Sequence, residues 1–169
     1  RSPQPGDGEL IRPILETWVR DRTTGEVQTE EINGIIYAVE EAAVGEGDKK
    51  YLVAQSAGGQ VLGLMGYTAP SEEMLPYSTT DRPTEIINAF VDKAARGQGV
   101  GSFLLQSLQR QAADQGYTEL VVNSGPRYED TAHAFYDSKL ERVGIIPDLY
   151  GSGGDAPVWR QVLPIDEQN

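Results

Sequence analysis

One segment near the middle of the chain constrains the fold more than any other. Residues 86–91 form an apolar run broken only by Asn88, which is typical of a central strand covered on both faces. A glycine-rich turn over residues 96–101 follows at once, and apolar residues continue at helical spacing up to Gly116. A strand that turns through glycines into a helix directs backbone N–H groups and the positive helix end at one point. The segment therefore predicts a phosphate-binding strand-turn-helix unit.

The remaining elements place this unit in a single α/β domain. A strand-helix-strand crossover set among antiparallel hairpins predicts a mixed sheet. We expect residues 10–169 to form this domain, preceded over residues 1–9 by an N-terminal loop or a truncated first element. The other predicted elements are helices near 12–21 and 29–43, a hairpin of strands 51–54 and 61–67, a loop over 70–83, a strand over 120–123, an amphipathic helix over 130–140, and strands over 143–146 and 158–163.

Charge and composition exclude several classes of function. The chain of 169 residues has a formal net charge of -12, which disfavours nucleic acid or an anionic membrane surface as a partner. It contains no cysteine and one histidine, so thiolate and histidine metal sites are not expected, and we predict no bound metal. No apolar run approaches the roughly 18 residues of a membrane helix. We therefore expect a cytoplasmic protein that works on small molecules or peptides.

Two common phosphate-binding loops fit the glycine turn poorly. A Walker loop ends in Gly-Lys-Ser/Thr, whereas Gly101 and Ser102 here follow Val100 with no lysine. A dinucleotide-binding fold needs G-x-G-x-x-G after the first strand of an alternating series. Here the glycines fall as G-x-G-x-G, and two helices and a hairpin precede them.

Two motifs together are similar to those of one enzyme family. Residues 91–105 resemble the acetyl-coenzyme A loop of the GCN5-related N-acetyltransferases, whose signature is Gln/Arg-x-x-Gly-x-Gly/Ala, with Arg96, Gly99 and Gly101 at the signature positions. Residues 132–139 resemble the Ala-x-x-Phe-Tyr segment of the same family. The resemblance covers about 85–146 well. It implies a single domain with a mixed, mostly antiparallel central sheet flanked by helices.

The resemblance also implies which residues bind acetyl-coenzyme A. Backbone amides of the glycine turn would contact the pyrophosphate, with the Arg96 guanidinium and the Ser102 hydroxyl nearby. A backbone N–H of the central strand would polarise the thioester carbonyl, and the end of the next strand would lie along the pantetheine arm. The residues assigned to the coenzyme are Phe90, Val91, Arg96, Gly97, Gln98, Gly99, Val100, Gly101, Ser102 and Asn123.

Acetyl transfer in one ternary complex needs a base for the amine and an acid for the departing thiolate. Glu85, at the start of the central strand, is the predicted base; the competing interpretation is a solvated acid at a strand end. Asn88 and the Tyr67 hydroxyl are alternative polar groups on the substrate side. Tyr136 matches the general acid of the family, against the simpler interpretation of a tyrosine that packs its ring on the core.

The sequence therefore predicts an acetyl-coenzyme A-dependent N-acetyltransferase that acts on a primary amine of a small molecule or peptide. A non-catalytic acyl-coenzyme A sensor of the same fold is the alternative, and a purely structural domain is a third reading. Residues 26–48 contain seven acidic residues and no Lys or Arg, whereas residues 84–127 are balanced. Most of those acids would form an ordinary solvated face, but the excess favours a cationic amine as acceptor. The resemblance also implies a homodimer, since members of the family often pair.

Overall fold

The computed structural model describes residues 1–164 of the chain. One six-stranded sheet has the strand order β1-β2-β3-β4-β6-β5. Strands β3 and β4 are parallel, whereas the pairs β1–β2, β4–β6 and β5–β6 are antiparallel, which confirms the predicted fold class. The helices are α1 (Asp7–Trp18), α2 (Thr29–Ala43), α3 (Val100–Asp114) and α4 (Ala132–Lys139); the strands are β1 (Lys50–Gln55), β2 (Val61–Thr68), β3 (Pro83–Val91), β4 (Glu119–Asn123), β5 (Glu141–Ile146) and β6 (Ala156–Val162).

The chain divides into two compact units. The first contains Arg1–Thr68 and Ile87–Leu108, and the second contains Ala69–Ile86 and the described chain from Gln109 onward. Strand β3 therefore begins in the second unit and ends in the first, and α3 does the reverse. None of the helices within residues 1–164 is long and apolar enough to cross a membrane.

The core of the first unit lies between α1, α2 and the β1–β2 hairpin. Ile32, Ile36 and Val39, which recur at helical spacing along α2, are buried there, whereas Ala43 at the end of the same stripe is half-buried. Burying such side chains stabilises the unit by roughly 1.5–3 kcal/mol each. The hydrophobic periodicity that predicted α2 is thus the periodicity of its packed face.

Helix α1 differs from its predicted bounds of 12–21. It begins at Asp7 and ends at Trp18, so residues 7–9 belong to the helix and not to a loop. The physical reason is a long-range cap: the Glu40 carboxylate accepts hydrogen bonds from the N–H groups of Gly6 and Gly8. These first-turn amides have no acceptor within the helix, and the acid that satisfies them comes from α2.

One apolar cluster of the second unit is formed around Met74. Met74, Val121 and Val158 are buried together, with Tyr77 and other half-buried side chains packed around them. Met74 belongs to the segment predicted as a loop over 70–83, which the structure ties firmly to its own unit. Thr79 donates hydrogen bonds from its backbone N–H and its hydroxyl to the fully buried carboxylate of Glu119. The segment is thus a fixed loop, anchored by one apolar residue and one buried acid.

Candidate functional site

The glycine turn begins where Asp92 leaves β3. The Asp92 N–H donates to the Leu62 carbonyl oxygen at 2.8 Å, which holds the end of β3. The Asp92 carboxylate accepts from the Ala94 N–H at 3.2 Å and so starts a short 3-10 turn over Lys93–Ala95. The chain therefore enters the glycines from a fixed point.

Gly97 and Gly99 adopt a backbone conformation that other residues avoid. Their φ angles are +78° and +81°, in the left-handed region. A Cβ at either position would meet nothing within 4 Å, so the backbone, and not a neighbouring atom, requires glycine here. Two of the three glycines of the turn thus have positive φ, whereas Gly101 lies in the first turn of α3 without one.

The exit from the turn leaves several backbone donors without an acceptor inside the helix. The Phe103 N–H bonds to the Gly99 carbonyl oxygen at 2.9 Å as α3 begins. The N–H groups of Val100, Gly101 and Ser102 come before this bond and therefore have no acceptor inside the helix. Residues 96–99 are exposed, and residues 100–102 are half-buried. This arrangement is suited to an anion such as a phosphate group.

Arg96 and Val91 share one neighbour, Trp18. Its ring is half-buried and packs against the core of the first unit, and its Nε1–H donates to the Val91 carbonyl oxygen at 2.8 Å. The Arg96 guanidinium lies over the same indole, 5.0 Å from the ring centroid. The signal for Trp18 was weak because its helical spacing with Ile14 and Leu15 is also that of an ordinary core residue.

Strand β3 is not covered on both faces as predicted. Its residues 84–86 are buried, but residues 87–91, which include Phe90 and Val91, are half-buried. Within this stretch Asn88 has φ +48°, which breaks the regular pleat of the strand. The Asn88 side chain accepts a hydrogen bond from the Tyr51 hydroxyl at 2.9 Å. A left-handed residue inside a strand stores strain, which proteins concentrate at functional sites.

Glu85 lies in the second unit and is not a solvated acid. Only 7% of it is exposed, and its carboxylate accepts hydrogen bonds from the Ser71 backbone N–H and, at 3.5 Å, from Asn123 Nδ2. Burial raises the pKa of Glu85, the nearby Glu73 carboxylate raises it further, and the two hydrogen bonds oppose them. Glu85 therefore has the character of a base that takes up a proton more readily than an exposed glutamate.

Asn123 connects Glu85 to a residue that the sequence did not single out. The Tyr150 hydroxyl donates to Asn123 Oδ1 at 2.6 Å. The Tyr150 ring rests against Gly125, where a Cβ would stand 2.8 Å from the ring. The Asn123 amide is thus held on both sides. Its assignment to the pantetheine arm stays a prediction.

Tyr136 is buried on α4 of the same unit. It is 4% exposed, and its ring centroid lies 5.2 Å from that of Trp159. Burial raises the pKa of Tyr136, and the charge that Tyr150 would carry when ionised raises it further. Tyr136 therefore packs its ring as the simpler interpretation expected, and it also stays protonated at neutral pH. Of these two properties, a proton donor requires only the second, the retained proton.

His133 supports this part of the unit structurally. Its Nε2 lies 3.1 Å from the Gly125 carbonyl oxygen, and its ring is 5.5 Å from that of Trp159. The Trp159 indole N–H donates to the Asp137 carboxylate at 2.8 Å, as befits a fully buried ring on β6. No group of three or more acidic or histidine side chains in residues 1–164 is arranged to hold a metal ion.

Solved structures share this fold over nearly the whole chain. A protein from Desulfovibrio desulfuricans assigned to the GNAT family of acetyltransferases superimposes with a TM-score of 0.76 at 18% identity, over 97% of this chain and 98% of that one. An N-acetyltransferase from Staphylococcus aureus Mu50 gives 0.68 at 19% identity, over 97% of each chain. An aminoglycoside 6'-N-acetyltransferase complexed with coenzyme A gives 0.66 at 12% identity, over 96% of each chain.

Sequence comparison gives the assignment that these distant structural matches alone do not. No curated protein sequence matches this chain significantly. The sequence model of the acetyltransferase (GNAT) family matches residues 13–140, which include the glycine turn and the tyrosine of α4. On this match, the chain belongs to the acetyltransferase (GNAT) family.

Proposed function

We propose that the protein transfers the acetyl group of acetyl-coenzyme A to a primary amine of a small molecule or peptide, within one ternary complex. One observation carries the proposal: Gly97 and Gly99, both at positive φ, lead into α3, whose first amides have no acceptor inside the helix. A phosphate-bearing cosubstrate suits this geometry. Membership of the acetyltransferase (GNAT) family supports acetyl-coenzyme A as this cosubstrate and acetyl transfer as the reaction.

In this proposal the role of the first unit is to bind the coenzyme. Backbone amides from Gly97 to Gly101 would bind the pyrophosphate, assisted by the Arg96 guanidinium and the Ser102 hydroxyl. Residues 84–127 are balanced in charge in a protein of net charge -12, so an anionic cosubstrate meets less repulsion there. One structural neighbour is complexed with coenzyme A, which is consistent with this assignment.

In this proposal the role of the second unit is proton transfer. An amine is a nucleophile only after it loses the ammonium proton, and in the proposed reaction the Glu85 carboxylate accepts that proton. The pKa of Glu85 is raised first of all by burial, which brings the group closer to the working pH of a base. Asn123 and Tyr150 hold its surroundings in place.

The amine nitrogen then bonds to the thioester carbonyl carbon, and a backbone N–H near Phe90 or Val91 polarises the carbonyl oxygen. When the tetrahedral intermediate collapses, the C–S bond breaks and the nitrogen gives up a second proton as the amide forms. Tyr136 gives its hydroxyl proton to the thiolate, and the proton from nitrogen replaces it. The products are an amide and a free thiol.

A cationic amine is the proposed class of acceptor. Residues 26–48 contain seven acidic residues without a Lys or Arg, which attracts cations at long range. In this stretch Tyr37 is 67% exposed and hydrogen-bonded to Glu41, so an aromatic ring and a carboxylate stand side by side on α2. Such a pair favours an ammonium group. The structural neighbour that is an aminoglycoside 6'-N-acetyltransferase is consistent with this class.

A thiol-release assay tests the proposal. Acetyl-coenzyme A is offered with polyamines, aminoglycosides, amino acids and peptides that have a free N-terminus, and products are identified by mass spectrometry. We expect thiol release that depends on one amine class, with the acetyl group on nitrogen. Coenzyme binding without transfer to any amine would favour an acyl-coenzyme A sensor instead. Absence of both binding and transfer would refute the proposal.

A further inference from the structure

We propose that Trp18 is a positioning residue for the coenzyme phosphates: its indole face holds the Arg96 guanidinium beside the glycine turn, and its N–H fixes the end of β3. This inference rests on the proposed function, because it assigns a purpose to the contacts of Trp18 with residues that would bind the coenzyme. Both contacts belong to the first unit.

The first contact fixes the backbone before the turn. Trp18 is the last residue of α1, and its ring packs against the buried core of the first unit. From this anchored position the Nε1–H donates to the Val91 carbonyl oxygen at 2.8 Å, directly before Asp92 starts the 3-10 turn. The indole thereby ties the entry of the turn to the core.

The second contact orients the cation after that turn. The Arg96 guanidinium carbon lies 5.0 Å from the centroid of the Trp18 ring. A cation held over an aromatic ring in this way does not use its N–H groups in an ion pair, so they stay available for an anion. Because the side chain is already held, less conformational freedom is lost when it binds a phosphate.

The surroundings of Arg96 support a ligand-binding role over a structural one. Among the residues that the structure describes, no carboxylate forms an ion pair with its guanidinium, although the chain has 26 acidic residues against 14 basic ones. Other arginines in the described chain do pair, as Arg12 does with Glu9 and Arg142 with Asp137. Arg96 is exposed and rests on an aromatic ring, which leaves its charge for an anionic ligand.

A double-mutant cycle tests this role. Binding of acetyl-coenzyme A is measured by calorimetry for the wild type, Trp18→Leu, Arg96→Ala and the double variant. Loss of a charge-assisted contact to phosphate, held in place by a cation–π contact, predicts an affinity about 10-fold lower for Trp18→Leu and about 10–30-fold lower for Arg96→Ala. In the Arg96→Ala background, Trp18→Leu should lower affinity by about 3-fold or less, because only the contact to Val91 is then lost.

Two further variants separate the role of Trp18 from its packing. Trp18→Phe keeps an aromatic face but removes the N–H donor, so we expect an intermediate loss of about 3-fold. Leu10→Ala changes a residue on the same helix that is 59% exposed, and its affinity should equal that of the wild type. Thermal unfolding followed by circular dichroism confirms that each variant is folded at the temperature of the titration.

The outcomes distinguish this inference from the proposed function. If Trp18→Leu lowers the affinity by the same factor in the wild type and in the Arg96→Ala background, the positioning role is overturned and the coenzyme proposal stays intact. Unchanged affinity in folded Trp18→Leu and Trp18→Phe would overturn it as well. Failure of the wild type to bind acetyl-coenzyme A at all would overturn both.

Discussion

The two units of the molecule carry their candidate chemistry in different ways. In the first unit the glycine turn uses the backbone: amides around Gly97 and Gly99 become available because those residues adopt positive φ. In the second unit the candidate groups are the side chains of Glu85, Asn123 and Tyr150, brought together from distant parts of the chain. A backbone site depends on a few consecutive residues, whereas a side-chain cluster depends on the whole fold of its unit.

Two glycines illustrate the same difference between a requirement of the backbone and a requirement of side-chain packing. Gly99 has open space around its Cα, and only its φ of +81° requires glycine. Gly144 of β5 has no unusual φ, but a Cβ there would stand 2.4 Å from the Tyr77 ring. Substitution of the first should therefore damage the binding geometry, and substitution of the second should damage packing.

The largest expected effect is that of Gly99→Val. A β-branched residue at positive φ shifts the turn and places a side chain where phosphate would approach, so affinity for acetyl-coenzyme A should fall by at least about 100-fold. Gly25→Val is the matched control, because Gly25 also has positive φ with nothing within 4 Å. Calorimetry that shows equal affinity for Gly99→Val and Gly25→Val would contradict the phosphate role of the turn.

Glu85→Gln should lower kcat/KM by about 100-fold, the usual loss when a general base is removed. The pKa of Glu85 is raised, mainly by burial, so the wild-type rate should fall with decreasing pH at a value above the ordinary glutamate pKa of about 4.3. The variant should not show this fall in rate at low pH.

The same pKa shift has a consequence for stability. A raised pKa means that the folded protein keeps this proton to higher pH than the unfolded chain does. As pH rises from the pKa of Glu85 in the unfolded chain to its pKa in the folded protein, the stability of Glu85→Gln should therefore increase relative to that of the wild type. If the pH profile of the rate is the same in Glu85→Gln as in the wild type, Glu85 is excluded as the base.

Tyr136→Phe should reduce turnover by about 10–100-fold while the affinity for coenzyme stays unchanged, since it removes a proton donor and little surface. Tyr77→Phe is the matched control in the same unit: it removes a hydroxyl that donates to the Ile145 carbonyl oxygen. Single-turnover rates separate the two, and an undiminished rate for Tyr136→Phe would remove Tyr136 as the acid.

The smallest expected effect is that of Gly144→Ala. The new methyl group meets the Tyr77 ring, so the free energy of unfolding should decrease by about 1–3 kcal/mol. Coenzyme affinity per folded molecule should stay unchanged. In a Tyr77→Ala background the ring is absent, and the same substitution should cost much less. Denaturant unfolding that gives equal costs in both backgrounds would contradict the steric role of Gly144.

Features that depend on local sequence were predictable to a large extent. The β1–β2 hairpin, the strand-turn-helix unit and α4 lie close to their predicted positions, because alternation, helical spacing and turn residues act over a few neighbours. Helix α1 was misplaced at both ends. Its first turn is capped by Glu40 from another helix, and no local pattern indicates such a contact.

The candidate site shows the same division. Arg96, Gly99 and Tyr136 could be named as candidates from motifs because the motifs have fixed spacings, and their roles stay predictions. Trp18 and Tyr150 could not, since each acts through contacts with residues far away in the sequence. The half-buried end of β3 and the left-handed backbone of Asn88 were also missed, because an apolar run indicates neither of them.

By itself, then, the amino-acid sequence determined the order of elements, the family and the glycine turn, because backbone conformation and hydrophobic periodicity are properties of neighbouring residues. Only the tertiary structure decided that Glu85 is buried beside Asn123, that Tyr150 holds this amide, and that Trp18 lies beneath Arg96. The pKa of a carboxyl group and the orientation of a guanidinium depend on solvent exclusion and on partners brought together by folding, and neither is encoded in a short stretch of chain.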